Sequence, residues 1–492
     1  MVKEIFIKSL CILLVVLVIS VSCTKTEQTD PLSYARIVNL DRSLLYDQIA
    51  TEFSSYPWDR EEDPRMFMIY CEAIVESKNK LPFFLKHPSL PTYKSEFVHG
   101  YFNLLQGELK EALKGFITLT ENQDGRVWGY IGLLEFALYT EGITSMKELL
   151  EMLRVTAEHN PSSVPSWSIP RYSAWYHYYS GEFWEVDSII RNNNKELDPV
   201  DILTLRTYLF IRENRFKEAE KFIKDIPPVL LNVQYVIDLE AEVIKLRYGH
   251  HEWLKYLSEK IKRYPYMWLI EERYAEALIE NGQIQVGIEI LKKLAKKRPF
   301  DLQLRLRLAE NLIYYEKGTG ANDIFTFMHR NSTWHAYYYY LRAKIYHGQG
   351  QEEKLQKVFN LAREIYPKNT LFLSLMATFS MEKYDYYTAS HIIKEILELE
   401  PNDISALVLL MELSYYKRDW DKLFKTENKL RKSPRFIDEK TWDEIKSYKA
   451  LALVEQHKYS DAQKTLGEIK DINIRMKTTS EIEKVKVKIG TK

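Results

Sequence analysis

Between residues 235 and 402 the apolar positions recur at intervals of three and four, as in Ile284, Ile288, Leu291 and Leu294, and again in Val358, Phe359, Ala362 and Ile365. That spacing puts them on one face of an α-helix and predicts amphipathic helices. Proline closes the runs: Pro265, Pro299, Pro367 and Pro401 each stand just past an apolar run, separated by 34, 68 and 34 residues. A proline there ends a helix, because it lacks an amide proton and disfavours helix in the residue before it. Ala241, Ala275, Ala309, Ala343 and Ala377 keep the same 34-residue interval. One helix pair cannot bury both of its apolar faces, so a period of this length predicts pairs stacked into an elongated array.

Inside the unit 268–301, Ala275 is the small residue of a first helix and Gly282 marks the turn. Gly287 and Leu291 are the small and large residues of a second helix, and Pro299 stops it. Ala343, Tyr346, Gly350, Leu355, Phe359, Ala362 and Pro367 repeat these roles, and Ala377, Ala389, Ile393 and Pro401 repeat most of them. Small residues are needed where two helices cross closely, and large ones fill the neighbouring groove. This pattern resembles the tetratricopeptide (TPR) repeat. The resemblance implies an all-α fold, a right-handed superhelical solenoid of helix-turn-helix pairs. Degenerate units keep the spacing at Gly100, Gly107, Ala112 and Phe116, at Asn214, Ala219 and Ile223, and at Ala450, Ala452, Ala462 and Leu466. A chain of this length has room for roughly eleven to thirteen pairs.

The organisation read from the chain is an N-terminal helical cap with degenerate pairs over 33–160, a solenoid over 171–470 that is strongest at 235–402, and a cap or frayed tail over 471–492 with one helix at 479–488. Pro82, Pro88 and Pro91 mark the exit from the first helices. Pro161, Pro165 and Pro170 mark a boundary or bend between the two larger regions.

The first residues carry a different signal. Lys3 and Lys8 precede an apolar run from Leu10 to Ile19 that is too short to span a membrane comfortably, and small residues lead to Cys23. This segment resembles a bacterial lipoprotein signal, although Ser20 stands where that family more often has leucine. The resemblance implies a signal peptide over 1–22, lipidation of Cys23, a polar tether over 23–32 and a place in the bacterial cell envelope, on the periplasmic side or the surface. Removal of Cys11 with the leader and lipidation of Cys23 would leave Cys71 alone, so no intramolecular disulfide framework is expected; Cys71 reads as a buried structural thiol.

Lys plus Arg equals Asp plus Glu at 69 each, and loss of Lys3, Lys8 and Glu4 with the leader leaves 67 against 68. A balanced chain lacks the basic excess that binding to a phosphate backbone demands, so nucleic acid is not an expected partner. No catalytic signature is found: His251-Glu252 continues into Trp253, Leu254 and Lys255 rather than a second histidine, and Gly318-Thr319-Gly320 lacks the ending of a phosphate loop. No enzyme activity, cofactor or metal site is expected.

The chain has 34 tyrosines and 10 tryptophans, concentrated at Trp175 to Tyr179 and Tyr337 to Tyr340. The resemblance implies that the first helix of each pair lines the concave side, which places Glu272, Glu276, Leu306, Glu310, Tyr337, Tyr340, Lys344, Ser374, Thr378, Val408 and Glu412 there. Carboxylates beside tyrosines favour a protein or peptide segment carrying Lys or Arg with apolar neighbours. The leading expectation is a membrane-anchored protein-interaction scaffold. The alternative is a transporter-associated lipoprotein that binds a small ligand in the lumen, with a cavity near Tyr337 to Tyr340.

Overall fold

The computed structural model describes residues 36–38, 40–41, 46–77, 90–140, 143–225, 233–265, 267–298, 301–315, 336–433 and 435–490. The signal segment, Cys23, the tether, Pro82, Pro88, Pro299 and Gly318 to Gly320 lie outside these residues. Among the described residues the regular structure is entirely helical, and no helix is long and apolar enough to cross a membrane.

Ten antiparallel pairs are described in full: Thr92–Leu105 with Leu109–Glu121, Arg126–Thr140 with Ile143–His159, Ser168–Tyr179 with Phe183–Asn192, Pro199–Arg212 with Phe216–Asp225, Val233–Tyr248 with His250–Arg263, Trp268–Glu280 with Ile284–Lys297, Ala336–Gly348 with Glu352–Ile365, Thr370–Glu382 with Tyr386–Leu399, Ile404–Tyr416 with Trp420–Arg431, and Glu439–Glu455 with Tyr459–Gly467. Pro64–Glu76 and Leu302–Tyr315 are two further helices of the stack. In the ten described pairs each first helix packs on its own partner, and most also pack on the first helix of a neighbouring pair, which makes the array a solenoid.

The sequence dictates this packing through its small residues. Ala241, Ala275, Ala309, Ala343 and Ala377 are all buried at the helix crossings. A side chain on Gly287 would put its Cβ 2.5 Å from the Ala275 carbonyl oxygen, and the Phe116 ring fills the space over both Gly100 and Gly132. Helix starts are set by side-chain caps: Asp198, Asn369, Asp403, Asp419 and Asp438 each accept an amide N–H of the first turn.

Two segments differ from the sequence reading. The proline-rich stretch after Asn160 forms only a turn between repeats: Pro170 sits in the first turn of Ser168–Tyr179, where its missing amide proton costs nothing, and Ile143–His159 packs directly on that helix. The stack therefore runs through without a break. The tail forms one helix, Ile472–Gly490, longer than the stretch 479–488. Asp443 fixes its entry by accepting the amides of Lys470 and Asp471, and Ile482 covers the apolar end of the array at Ala450 and Val454.

The solenoid winds far enough for its second superhelical turn to rest on its first. Arg298 grips Glu76 through two bonds of 2.5 and 2.6 Å. Tyr366 donates to the Thr140 carbonyl, Lys368 to that of Ser180 and Arg212 to that of Leu399. Arg435 bonds Asn214, and the Phe436 amide donates to Leu246 at 2.7 Å. These partners lie 187 to 226 residues apart. In every case the turn inside a pair, on the first superhelical turn, meets the turn between pairs on the second. Gly181 and Gly249, with φ of +75° and +90°, sit at such places, and Leu399 and the Phe436 ring press against them. One apolar core consequently spans both turns, joining residues from Ile37 to Tyr172 with residues from Ala275 to Phe372.

Candidate binding lumen

Polar bonds at the repeat interval line the inner wall. Arg273 pairs with Asp238, 35 residues back, and Arg307 with Glu276, 31 residues back. Arg171 lies between Glu135 and Asp201, and Tyr172 donates to the same Glu135. Because each bond joins one first helix to the next first helix in the chain, it staples adjacent repeats together.

This corrects the role expected for two glutamates. Glu272 is only 2% exposed, and its nearest charge is Arg307 at 3.4 Å. Burial pushes its carboxyl up to about 7, against the pull of Arg307. Glu276 is held at 3.1 Å by both Arg273 and Arg307. Burial raises its carboxyl, but Arg307, Arg273 and Lys245 outweigh that and hold it below the usual range. The repeat pattern names positions on the inner helix but says nothing of burial or of arginines one unit away, so both carboxylates read as open to a partner, whereas Glu272 is buried and Glu276 is held by two arginines. Leu306 is fully buried as well.

Glu310, Tyr337, Tyr340 and Lys344 do come together. Tyr337 donates to Glu310 and stacks on Tyr340 with ring centres 5.4 Å apart. The Lys344 ammonium lies 5.2 Å from the Tyr340 ring centre and 5.6 Å from that of Tyr314, whose own ring is largely exposed. Glu412 is bonded by Tyr448, and burial raises its carboxyl. Thr378 donates to the Ser374 carbonyl, and Val408 packs into the core of the last repeats.

A second cluster was not singled out from the sequence. In the first superhelical turn a cleft of about 280 Å³ is lined by Tyr101, Glu135, Tyr139, Arg171, Trp175 and Asp201 among others. Trp175 donates to Asp201 at 2.9 Å and stacks on Tyr179. Nearby, Tyr101 donates to Glu72 at 2.8 Å; burial pushes the Glu72 carboxyl up to about 8, and Asp41, Glu135 and Glu76 add to the effect. Tyr235 is 46% exposed, yet burial raises its hydroxyl well above the tyrosine range, with Glu72, Asp41 and Glu76 contributing. Only the aromatic run from Trp175 signalled this cluster in the sequence, since its acidic members come from distant repeats.

No family model and no curated protein matches the chain. Among solved structures it is similar to Cut9 in the crystal structure of the APC/C hetero-tetramer Cut9–Hcn1, with a TM-score of 0.55, 13% identity, and 93% of this chain and 90% of that one covered. Yeast Tom70 aligns at a TM-score of 0.36 and 13% identity, over 81% of this chain and 96% of that one. The human IFIT1 dimer with m7Gppp-AAAA aligns at 0.43 and 14%, over 94% and 87%. The fold is an all-α solenoid of TPR type.

Proposed function

We propose that the chain is a non-catalytic scaffold whose lumen holds a segment of a protein partner, and that Cys23 carries the lipid that fixes it to a membrane of the bacterial cell envelope. The observation that carries the reading is the two-turn superhelix with accessible aromatic rings inside it, at Tyr235, Tyr314 and Tyr340. Rigid rings with a polar edge supply contact area at little entropic cost, and such residues dominate binding surfaces. Cut9, similar in fold, is found with Hcn1 in a hetero-tetramer, which supports a role in holding a protein. Since Arg273 and Arg307 occupy Glu276, and Arg307 also neighbours Glu272, the partner segment contacts the tyrosine faces, Lys344 and Glu310 instead.

Affinity capture from cell envelopes with the full chain, followed by quantitative mass spectrometry, tests the lumen. Tyr314→Ala with Tyr340→Ala should lower recovery of the captured protein at least tenfold, the effect of about 1.4 kcal/mol; undiminished recovery rejects the lumen as the site. Labelling with an alkyne fatty acid tests the anchor: label lost in Cys23→Ser supports it, and label absent from the parent chain rejects it.

The cleft between Tyr101 and Trp175 favours a second reading, a small ligand held in the lumen. Under that reading Trp175→Ala abolishes ligand binding and leaves protein capture unchanged.

A further inference from the structure

The cleft of the first superhelical turn is lined by four aromatic rings, those of Tyr101, Tyr139, Trp175 and Tyr179, and by Leu104 and Leu138. Its volume of about 280 Å³ lies below the range of about 300 to 1,000 Å³ that takes drug-sized ligands, so its occupant is compact. Elsewhere in the chain such rings are covered by the chain's own cations: Arg298 lies 3.8 Å from the Trp268 ring centre, Lys245 4.2 Å from that of Trp253, and Arg212 4.2 Å from that of Phe183. Among the described residues no lysine or arginine lies over the rings of Tyr101, Tyr139 or Trp175. Arg171, the cation among the lining residues, lies instead over the fully buried ring of Tyr172.

The charges explain why. Arg171 is drawn aside by two carboxylates, Glu135 and, at 2.9 Å, Asp201. Two negative charges against one positive charge leave the cleft with one negative charge uncompensated. The Glu135 side chain is 10% exposed and that of Asp201 12%, so solvent and salt screen this charge weakly. Glu72, bonded by Tyr101, does not alter the count near neutrality, since burial pushes its carboxyl up to about 8. Asp201 uses both of its oxygens, one on Arg171 and one on the Trp175 indole N–H. Glu135 does not: Arg171 and Tyr172 both donate to its Oε1, and among the described residues nothing donates to its Oε2. An anion meets net repulsion here, and a neutral ligand leaves the charge unanswered. A compact cation meets both features at once, with its body against the rings and its charge toward Glu135.

We infer that the cleft binds a small organic ammonium ion, with its alkyl groups against the leucines and the rings and its charge toward Glu135. The inference rests on the reading of this cleft as a small-ligand site and adds the charge class of the ligand.

Isothermal titration of the full chain, in a non-ionic detergent and phosphate buffer, compares three probes of nearly one shape: choline, the uncharged analogue in which tert-butyl replaces trimethylammonium, and tert-butylacetate as the anion. Choline should bind in the millimolar range or tighter, about tenfold or more above the uncharged analogue, with the anion weakest. Glu135→Gln, whose Oε1 can still accept from Tyr172, should lower choline affinity about tenfold and leave that of the uncharged analogue unchanged. Because that change also loosens Arg171, Trp175→Leu serves as a second variant: it removes a ring, keeps every charge, and should weaken choline more than the uncharged analogue. Equal affinity for choline and the uncharged analogue, or tighter binding of the anion, overturns the ammonium assignment and leaves a small-ligand site standing. Binding of none of the three overturns both. Choline affinity unchanged in both variants places its binding elsewhere and overturns the inference. Excess choline should leave protein capture intact; capture abolished by choline would give the cleft to a lysine of the protein partner and overturn a free ligand.

Discussion

Replacing Arg298 by alanine removes the strongest link across the seam. Its guanidinium makes two bonds to Glu76, a third to Asp301 at 3.0 Å, and covers the Trp268 ring at 3.8 Å. The side chains of Arg298 and Glu76 are 20% and 16% exposed, so the pair is neither dry nor a screened surface contact. A fully buried pair broken on one side costs about 3 to 5 kcal/mol, because the remaining charge is stranded; partial exposure here brings that to about 2 kcal/mol. The lost ring contact adds about 1 kcal/mol, for a total of about 3 kcal/mol. A repeat array need not unfold in one step, so the local opening energy is the proper readout. Hydrogen exchange by mass spectrometry should show amides of Pro64–Glu76, more than 200 residues away in sequence, exchanging roughly 100-fold faster, the factor that corresponds to about 3 kcal/mol. Glu76→Gln should produce the mirror effect at Leu302–Tyr315, and the two changes together should be less than additive. Faster exchange confined to the neighbours of residue 298, with Pro64–Glu76 unchanged, would refute the seam as an energetic contact.

Glu272→Gln tests the buried inner wall. The folded carboxyl keeps its proton to about pH 7 where the free acid ionises near 4.5, so the folded state binds more protons across that range and stability falls as pH rises through it. Discounting for the weakened contact with Arg307, the substitution should stabilise by about 2 kcal/mol at pH 8 and by almost nothing at pH 4; urea unfolding at both values checks this, and equal effects would contradict the assigned burial. Gly132→Ala drives a methyl group into the Phe116 ring and should cost about 2 kcal/mol, whereas Gly282→Ala meets no atom and should cost only the left-handed backbone strain, about 1 kcal/mol. Thermal unfolding that ranked Gly282→Ala as the more damaging would contradict the packing.

The recurring alanines and prolines made the brick legible in the sequence, because the constraint that a helix crossing needs a small residue acts within one unit. Tyr337, Tyr340 and Lys344 were legible for the same reason: they share one helix, and their contacts follow from its geometry. The seam was not. Its members, such as Arg298 with Glu76 or Phe436 with Leu246, depend on how many units complete a superhelical turn, and small rotations between units set that number without leaving any local pattern. Glu272 and Glu276 were misread because position on a helix was visible while the arginine of the following unit was not. The cleft at Tyr101 and Trp175 draws on several repeats, and only its aromatic run stood out.

Photo-crosslinking at the seam is the most direct measurement of whether the repeats wind into touching turns around a lumen. With benzoylphenylalanine in place of Phe436 in the full chain, irradiation and peptide mapping should recover an intramolecular adduct at Leu246 to His250, where the Phe436 ring lies on Gly249 and edge-on to His250. Adducts found only within the flanking helices Trp420–Arg431 and Glu439–Glu455 would mean an open solenoid and would contradict the account.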